Sequence, residues 1–143
     1  MTVRRFFETN VLFYACDATD PAKQSVAIKC IADAAANDSS ALSVQVFGEF
    51  FHATVVRKRL FSADEAERAI RAYQPVFTVV HLDFDLECDA MGLHRRYQLR
   101  YWDSLILAAE RRAGCVEALS EDLNEAQDYD GVVVINPFRQ PVA

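Results

Sequence analysis

Residues 101–122 read YWDSLILAAERRAGCVEALSED, and a change of period inside this stretch decides the fold. Trp102, Leu105, Ile106, Ala109 and Ala113 recur at helical spacing, which predicts a helix with that face in the core. Gly114 stops it. Cys115 to Leu119 then reads as a short β-strand, closed by the polar Ser120-Glu121-Asp122. A helix feeding directly into a strand is half of an α/β crossover, so the strand belongs to a mostly parallel sheet.

The same alternation extends in both directions. Val3 to Phe7 is β-prone and Thr9-Asn10 follows as a turn or helix start. Asp20-Pro21 opens a helix with Ala27, Cys30, Ile31 and Ala34 on one face, broken at Asn37-Asp38-Ser39-Ser40. Ala41 to Ser43 is a brief strand. A helix from Val44 turns Phe47, Phe50, Phe51, Thr54 and Val55 to the core, with Glu49 beside that stripe. Ser62-Ala63-Asp64-Glu65 is a capping box for a helix carrying Ala66, Ala69, Ile70 and Tyr73 up to Pro75. Val76 to Leu82 is the next strand, Asp83 caps a helix bearing Leu86, Ala90, Leu93 and Tyr97, and Val132 to Ile135 follows Asp130-Gly131 as the last strand. The expectation is an α/β fold with a mostly parallel central sheet covered on both faces, and one domain over 1–143.

Composition narrows the class. At 143 residues with 52% apolar and 25% charged side chains, the chain suits one globular core. No apolar run approaches the roughly 20 residues that span a bilayer, and Arg4-Arg5 is followed by only Phe6-Phe7, so neither a membrane span nor a secretory leader is expected. Cys16, Cys30, Cys88 and Cys115 form no Cys-x-x-Cys pair; buried, reduced thiols in a cytoplasmic protein are the expectation. A net charge of -6 argues against a uniformly basic nucleic-acid coat. Local basic groups remain at Arg57-Lys58-Arg59, at Arg95-Arg96 with Arg100, and at Arg111-Arg112.

Four acids stand out by position. Glu8 closes the first strand, Glu49 lies in the first turns of the helix after the second, Asp103 starts the helix before the fourth, and Asp122 follows that strand. Ligands of open parallel sheets bind outside the carboxyl ends of the strands, so all four can converge there. Clustered carboxylates repel unless a cation compensates. An oxygen-only donor set favours Mg²⁺ or Mn²⁺ over zinc, and such an ion suits phosphodiester hydrolysis. Thr9, Asn10, Ser104 and Ser120 are short polar residues placed to hydrogen-bond carboxylates or metal waters. By spacing alone, a first-turn acid for Asp103, an N-cap for Asp122 and an exposed helix position for Glu49 stay equally open.

The local motifs carry more. Phe6-Phe7-Glu8-Thr9-Asn10-Val11-Leu12-Phe13-Tyr14, Ser43-Val44-Gln45-Val46-Phe47-Gly48-Glu49-Phe50-Phe51, Tyr101-Trp102-Asp103-Ser104-Leu105-Ile106 with Ala108-Ala109 and Gly114-Cys115, Ser120-Glu121-Asp122-Leu123 and Val134-Ile135-Asn136-Pro137-Phe138 together resemble the ordered motifs of PIN-domain ribonucleases. Within them the likeness is to the VapC-type toxins of toxin–antitoxin pairs, over about residues 4 to 138. The resemblance implies a three-layer α/β/α sandwich and a Mg²⁺- or Mn²⁺-dependent endoribonuclease toxin that cuts structured RNA such as tRNA or rRNA. It also implies a cognate antitoxin, with homodimerisation. Position by position it implies Glu8, Glu49, Asp103 and Asp122 as the metal-binding and catalytic acids, Ser120 as their support, and Asn10 as the group that orients the first acid. Glu121 is implied to be peripheral.

One residue departs from the pattern. The family's first acid is normally Asp, and Glu8 is longer by one methylene on a fixed strand end, where Mg²⁺ tolerates distorted geometry poorly. Attenuated catalysis, with the chain acting mainly as an antitoxin-binding module, is therefore the rival expectation. The longer acid is either natural or introduced to make a toxic protein expressible. An α/β phosphohydrolase with a first-strand Asp nucleophile fits worse, because Glu8 replaces that Asp and no Asp follows two residues later. His52 and His81 lack a paired nucleophile and read as structural. His94, Arg95, Arg96 and Arg100 form the expected RNA-contacting group.

Overall fold

The computed structural model describes residues 4–122 and 127–139. Its elements run β1 (Arg5–Phe7), α1 (Thr9–Cys16), α2 (Pro21–Asn37), β2 (Ser40–Ser43), α3 (Val44–Phe51), a π-helical turn (His52–Arg57), α4 (Ala63–Tyr73), a 3-10 turn (Gln74–Val76), β3 (Thr78–Val80), α5 (Phe84–Tyr97), α6 (Tyr101–Arg112), β4 (Glu117–Leu119), β5 (Asp128–Tyr129) and β6 (Val132–Ile135).

The strands form one sheet in the order β3-β2-β1-β4-β6-β5. β1 pairs in parallel with β2 on one side and β4 on the other, Phe6 lying opposite Ala41 and Ala118. β5 alone runs antiparallel, against β6. Helices cover both faces, giving the three-layer α/β/α arrangement. The chain builds outward from β1 to β3 and then returns to the other side of β1. The point where strand order reverses therefore lies between β1 and β4, where parallel α/β sheets open a crevice at their carboxyl edge.

The terminators act as their chemistry dictates. Asp20 accepts from the Lys23 amide at 3.1 Å, and Ser62 and Glu65 close the capping box in both directions, at 3.2 and 3.0 Å. Asp83 caps α5 through the Leu86 amide at 2.9 Å. Asp130 and Gly131 both take positive φ, 55° and 97°, the requirement of a two-residue turn matched to strand twist.

The core is apolar and closes over the middle strands. Phe6, Phe7, Leu12, Leu42, Phe50, Leu105, Leu107 and Val134 are almost fully buried, each contributing about 1.5–3 kcal/mol by leaving water. Three expectations change here. Thr9-Asn10 begins a complete helix rather than a turn, the strand expected from Val76 to Leu82 contracts to Thr78–Val80, and Cys88 is exposed while Cys115 is buried. Among the described residues no helix is long and apolar enough to cross a membrane.

Candidate active site

Glu8 is the residue just past β1, and its amide donates to the Leu119 carbonyl at 3.3 Å, prolonging the β1–β4 ladder by one step. Its own carbonyl accepts from the Val11 amide at 3.2 Å as α1 starts. Held at both ends, the side chain is only 8% exposed. One carboxylate oxygen, Oε2, is buried without a partner. Burial pushes its pKa up to about 8; the Ser120 hydroxyl bonded to it pulls the other way, and Asp122, Asp103 and Glu49 add repulsion.

The other three acids reach the same place from different elements. Glu49 extends from α3 and accepts from Thr9 Oγ1 at 2.8 Å and from Gln45 Nε2 at 2.9 Å. Asp122 follows β4; its amide donates to Ser120 Oγ at 3.1 Å, and its carboxylate accepts from Asn10 Nδ2 at 3.1 Å. Asp103 lies in the first turn of α6, where Arg100 grips both of its oxygens at 3.1 and 3.3 Å. α6 leads into β4, so its start lies at the carboxyl edge of the sheet.

Two supporting residues differ from expectation. Asn10 serves the last acid, Asp122, rather than the first, because the opening turn of α1 carries its amide towards the segment after β4. Ser104 is buried and donates to the Arg100 carbonyl at 3.2 Å, one turn back in its own helix. Thr9 and Ser120 do bond carboxyl groups.

Glu8, Glu49, Asp103 and Asp122 all line one open cavity of about 1240 Å³. Thr9, Asn10, Gln45 and Ile106 share its walls. Glu121 does too, but it pairs with Lys23 at 2.8 Å and accepts from the Tyr14 hydroxyl at 2.6 Å, so a cation already balances its charge.

The basic groups distribute differently from the sequence cluster. Of His94, Arg95, Arg96 and Arg100, only Arg100 reaches the cavity. His94 bonds the Leu99 carbonyl, while Arg96 pairs with Asp130 at 2.7 Å and lies over the Tyr97 ring. Arg95 stands on the exposed side of α5. Arg57 and Lys58 are the further cations on the cavity wall. They arrive through the π-helical turn, whose closing bond runs from the Lys58 amide to the Ala53 carbonyl at 2.9 Å; such turns concentrate at functional sites. The sequence marked these two residues as a basic run, without a place. Lys23, which balances Glu121, and Gln45, which spans two elements, carried no sequence signal.

No family model matches the chain, and no curated protein matches it in sequence. Solved structures do match. VapC20 from Mycobacterium tuberculosis, a sarcin-ricin loop cleaving toxin, superposes with a TM-score of 0.66 at 22% identity, over 82% of this chain and 89% of that one. A toxin–antitoxin complex from Klebsiella pneumoniae gives 0.60 at 18%, over 93% and 97%. VapBC2 from Rickettsia felis, bound to a DNA fragment from its promoter, gives 0.68 at 12%, over 94% and 98%. The fold is that of a VapC-type PIN domain.

On this PIN fold the cavity floor can be tested against a divalent cation. The donors are all carboxylate oxygens, one of them buried and unpartnered on Glu8, and their mutual repulsion calls for positive charge. Among the described residues, no three His, Cys, Asp or Glu side chains are grouped tightly enough to enclose an ion directly. Mg²⁺ keeps several of its waters and takes only one or two carboxylates. Wide-set acids backed by Thr9, Gln45 and Asn10 fit that kind of ion better than a closed cage.

Proposed function

We propose that the chain is a Mg²⁺- or Mn²⁺-dependent endoribonuclease toxin acting on structured RNA such as tRNA or rRNA, neutralised by a cognate antitoxin, dimeric and cytoplasmic. One observation carries the reading: four acids from four separate elements share one cavity with Arg57, Lys58 and Arg100 on its walls. Glu8, Glu49, Asp103 and Asp122 would hold the ion. When bound, it would supply an activated water and offset charge developing on the phosphate. Arg57 and Lys58 attract the phosphate backbone and position it over the acids. Thr9 and Gln45 fix the Glu49 carboxylate, and Asn10 fixes that of Asp122, so their oxygens need little reorganisation. The likeness in fold to toxins and toxin–antitoxin complexes supports the toxin class and the antitoxin partner.

A second reading has its own observation. Glu8 is buried with its pKa pushed up to about 8, so near pH 7 it holds a proton that a metal must displace. That favours an attenuated nuclease, or an antitoxin-binding module on the same fold. RNA cleavage with Mn²⁺ or Mg²⁺ decides between them, measured for this chain, Glu8→Asp and Asp103→Asn. The nuclease reading expects metal-dependent cutting that Asp103→Asn abolishes. Cutting by Glu8→Asp alone establishes attenuation, and no cutting by either would overturn the nuclease reading.

A further inference from the structure

Trp102 departs from the helix that carries it. From Ser104 to Glu110 every residue of α6 is buried, whereas Trp102 is 61% exposed and lines the cavity next to Asp103. Its place is fixed from two sides. Gln45 Nε2 donates both to the Trp102 carbonyl at 3.2 Å and to Glu49 Oε1 at 2.9 Å, and the Tyr101 ring packs edge-on with centroids 5.3 Å apart. One amide thus ties the backbone under the indole to one of the four acids. Arg100 flanks the indole in sequence, and Arg57 and Lys58 share the cavity wall.

We infer that Trp102 is a stacking platform for one unpaired base of the RNA, seated beside the phosphate that the acids address. A cation-lined groove with a held aromatic face is how proteins take single-stranded nucleotides, because every base offers a π-face to the ring and every phosphate a charge to the groove. A base inside a duplex already has both faces covered by its neighbours. The substrate class is therefore RNA with an unpaired nucleotide, in a loop, bulge or end, and continuous duplex is rejected. This rests on the ribonuclease reading and adds to it a specificity-determining residue.

Trp102 is the chain's one tryptophan, so its fluorescence reports the contact directly. The test uses full-length protein in EDTA with three dye-labelled RNAs: a hairpin, the same hairpin with abasic loop positions, and a blunt duplex of equal charge. Binding of the hairpin should quench the emission. The abasic loop and W102A should each weaken binding about five-fold or more, W102F should retain most of the affinity, and the salt dependence should not change because the phosphate contacts remain. Hairpin binding without quenching, and with unchanged affinity in W102A, overturns the platform and leaves the ribonuclease reading standing; so does equal binding of duplex. If W102A alters only self-association, the indole faces protein and the inference falls. Absence of both RNA binding and cleavage removes the ribonuclease reading and this inference together.

Discussion

Glu110 lies buried in α6 with both carboxyl oxygens unpartnered, within reach of the field of Glu8 at the cavity floor. Burial pushes its pKa well above the ordinary carboxylate value, and the charge of Glu8 adds to the rise. The core thus keeps a second acid behind the first. Glu110→Leu, which preserves most of the volume and removes two unsatisfied oxygens, should stabilise the fold by about 1–3 kcal/mol at neutral pH. Urea unfolding should show a higher midpoint at an unchanged slope; a lower midpoint would mean that Glu110 has a bonding role.

Glu8 sets a pH dependence of definite sign. Its folded pKa, about 8, lies above the ordinary 4.5, so between these values the folded state holds a proton that the unfolded chain has released. Stability falls as pH rises through this window, by at most about 1 kcal/mol per pH unit for one proton. Metal-free protein should therefore melt at a lower temperature at pH 8 than at pH 5. Glu8→Gln, which mimics the protonated form, should flatten the slope, leaving the smaller dependence that Glu110 imposes in the same direction. A curve for Glu8→Gln as steep as that of the unaltered chain would remove Glu8 from this role.

The limits of the sequence reading can be traced to particular residues. Capping residues and the turn glycines, Asp20, Ser62, Asp83, Gly114 and Gly131, act locally, so their elements were legible in the chain. α6 was harder to phase. It is buried along nearly its whole length, and a helix surrounded by core has no polar face to set its period; Trp102 was therefore assigned to the core and Glu110 passed unremarked. β5 is two residues long and has no strand signature of its own. The four acids could be found because each sits at an element end. The cations could not be sorted that way: Arg95, Arg96 and Arg100 are close in sequence, but α5 ends between them at Gln98 in a left-handed turn, φ 56°, which sends Arg96 to Asp130 and Arg100 to the cavity.

Adjacent acids after β4 should behave as different chemical groups. Glu121 has Lys23 and Tyr14, whereas Asp122 has only neutral donors. Glu121→Gln should cost about 1 kcal/mol of stability by weakening a partly buried ion pair and leave Mn²⁺ affinity within about two-fold. Asp122→Asn should weaken Mn²⁺ binding at least ten-fold, by analogy with the loss of a charged ligand oxygen. Calorimetric titration of both variants separates them, and equal effects would argue against the assignment of Asp122.

Arg100 and a bound cation compete for Asp103. Arg100→Ala should therefore tighten Mn²⁺ binding while weakening RNA binding, with the slope of log affinity against log salt reduced by about 1. The opposite signs are the test. Parallel weakening of both would show that Arg100 orients Asp103 for the metal instead of shielding it.

The π-helical turn after α3 carries a consequence for how such a gene can change. It holds one residue more per turn than the α-helix it interrupts, and Arg57 and Lys58 face the cavity from its far end. Loss of a single codon between His52 and Val56 would let the ordinary helical pitch resume and swing everything beyond it by about 100° about the helix axis. Buried Ala53 and Thr54 lie close to the core end of the turn, so the sheet and the acids would be left largely as they are. A one-codon deletion is thus a short evolutionary route from a chain that grips a polyanion to one that keeps its acids but has let go of it.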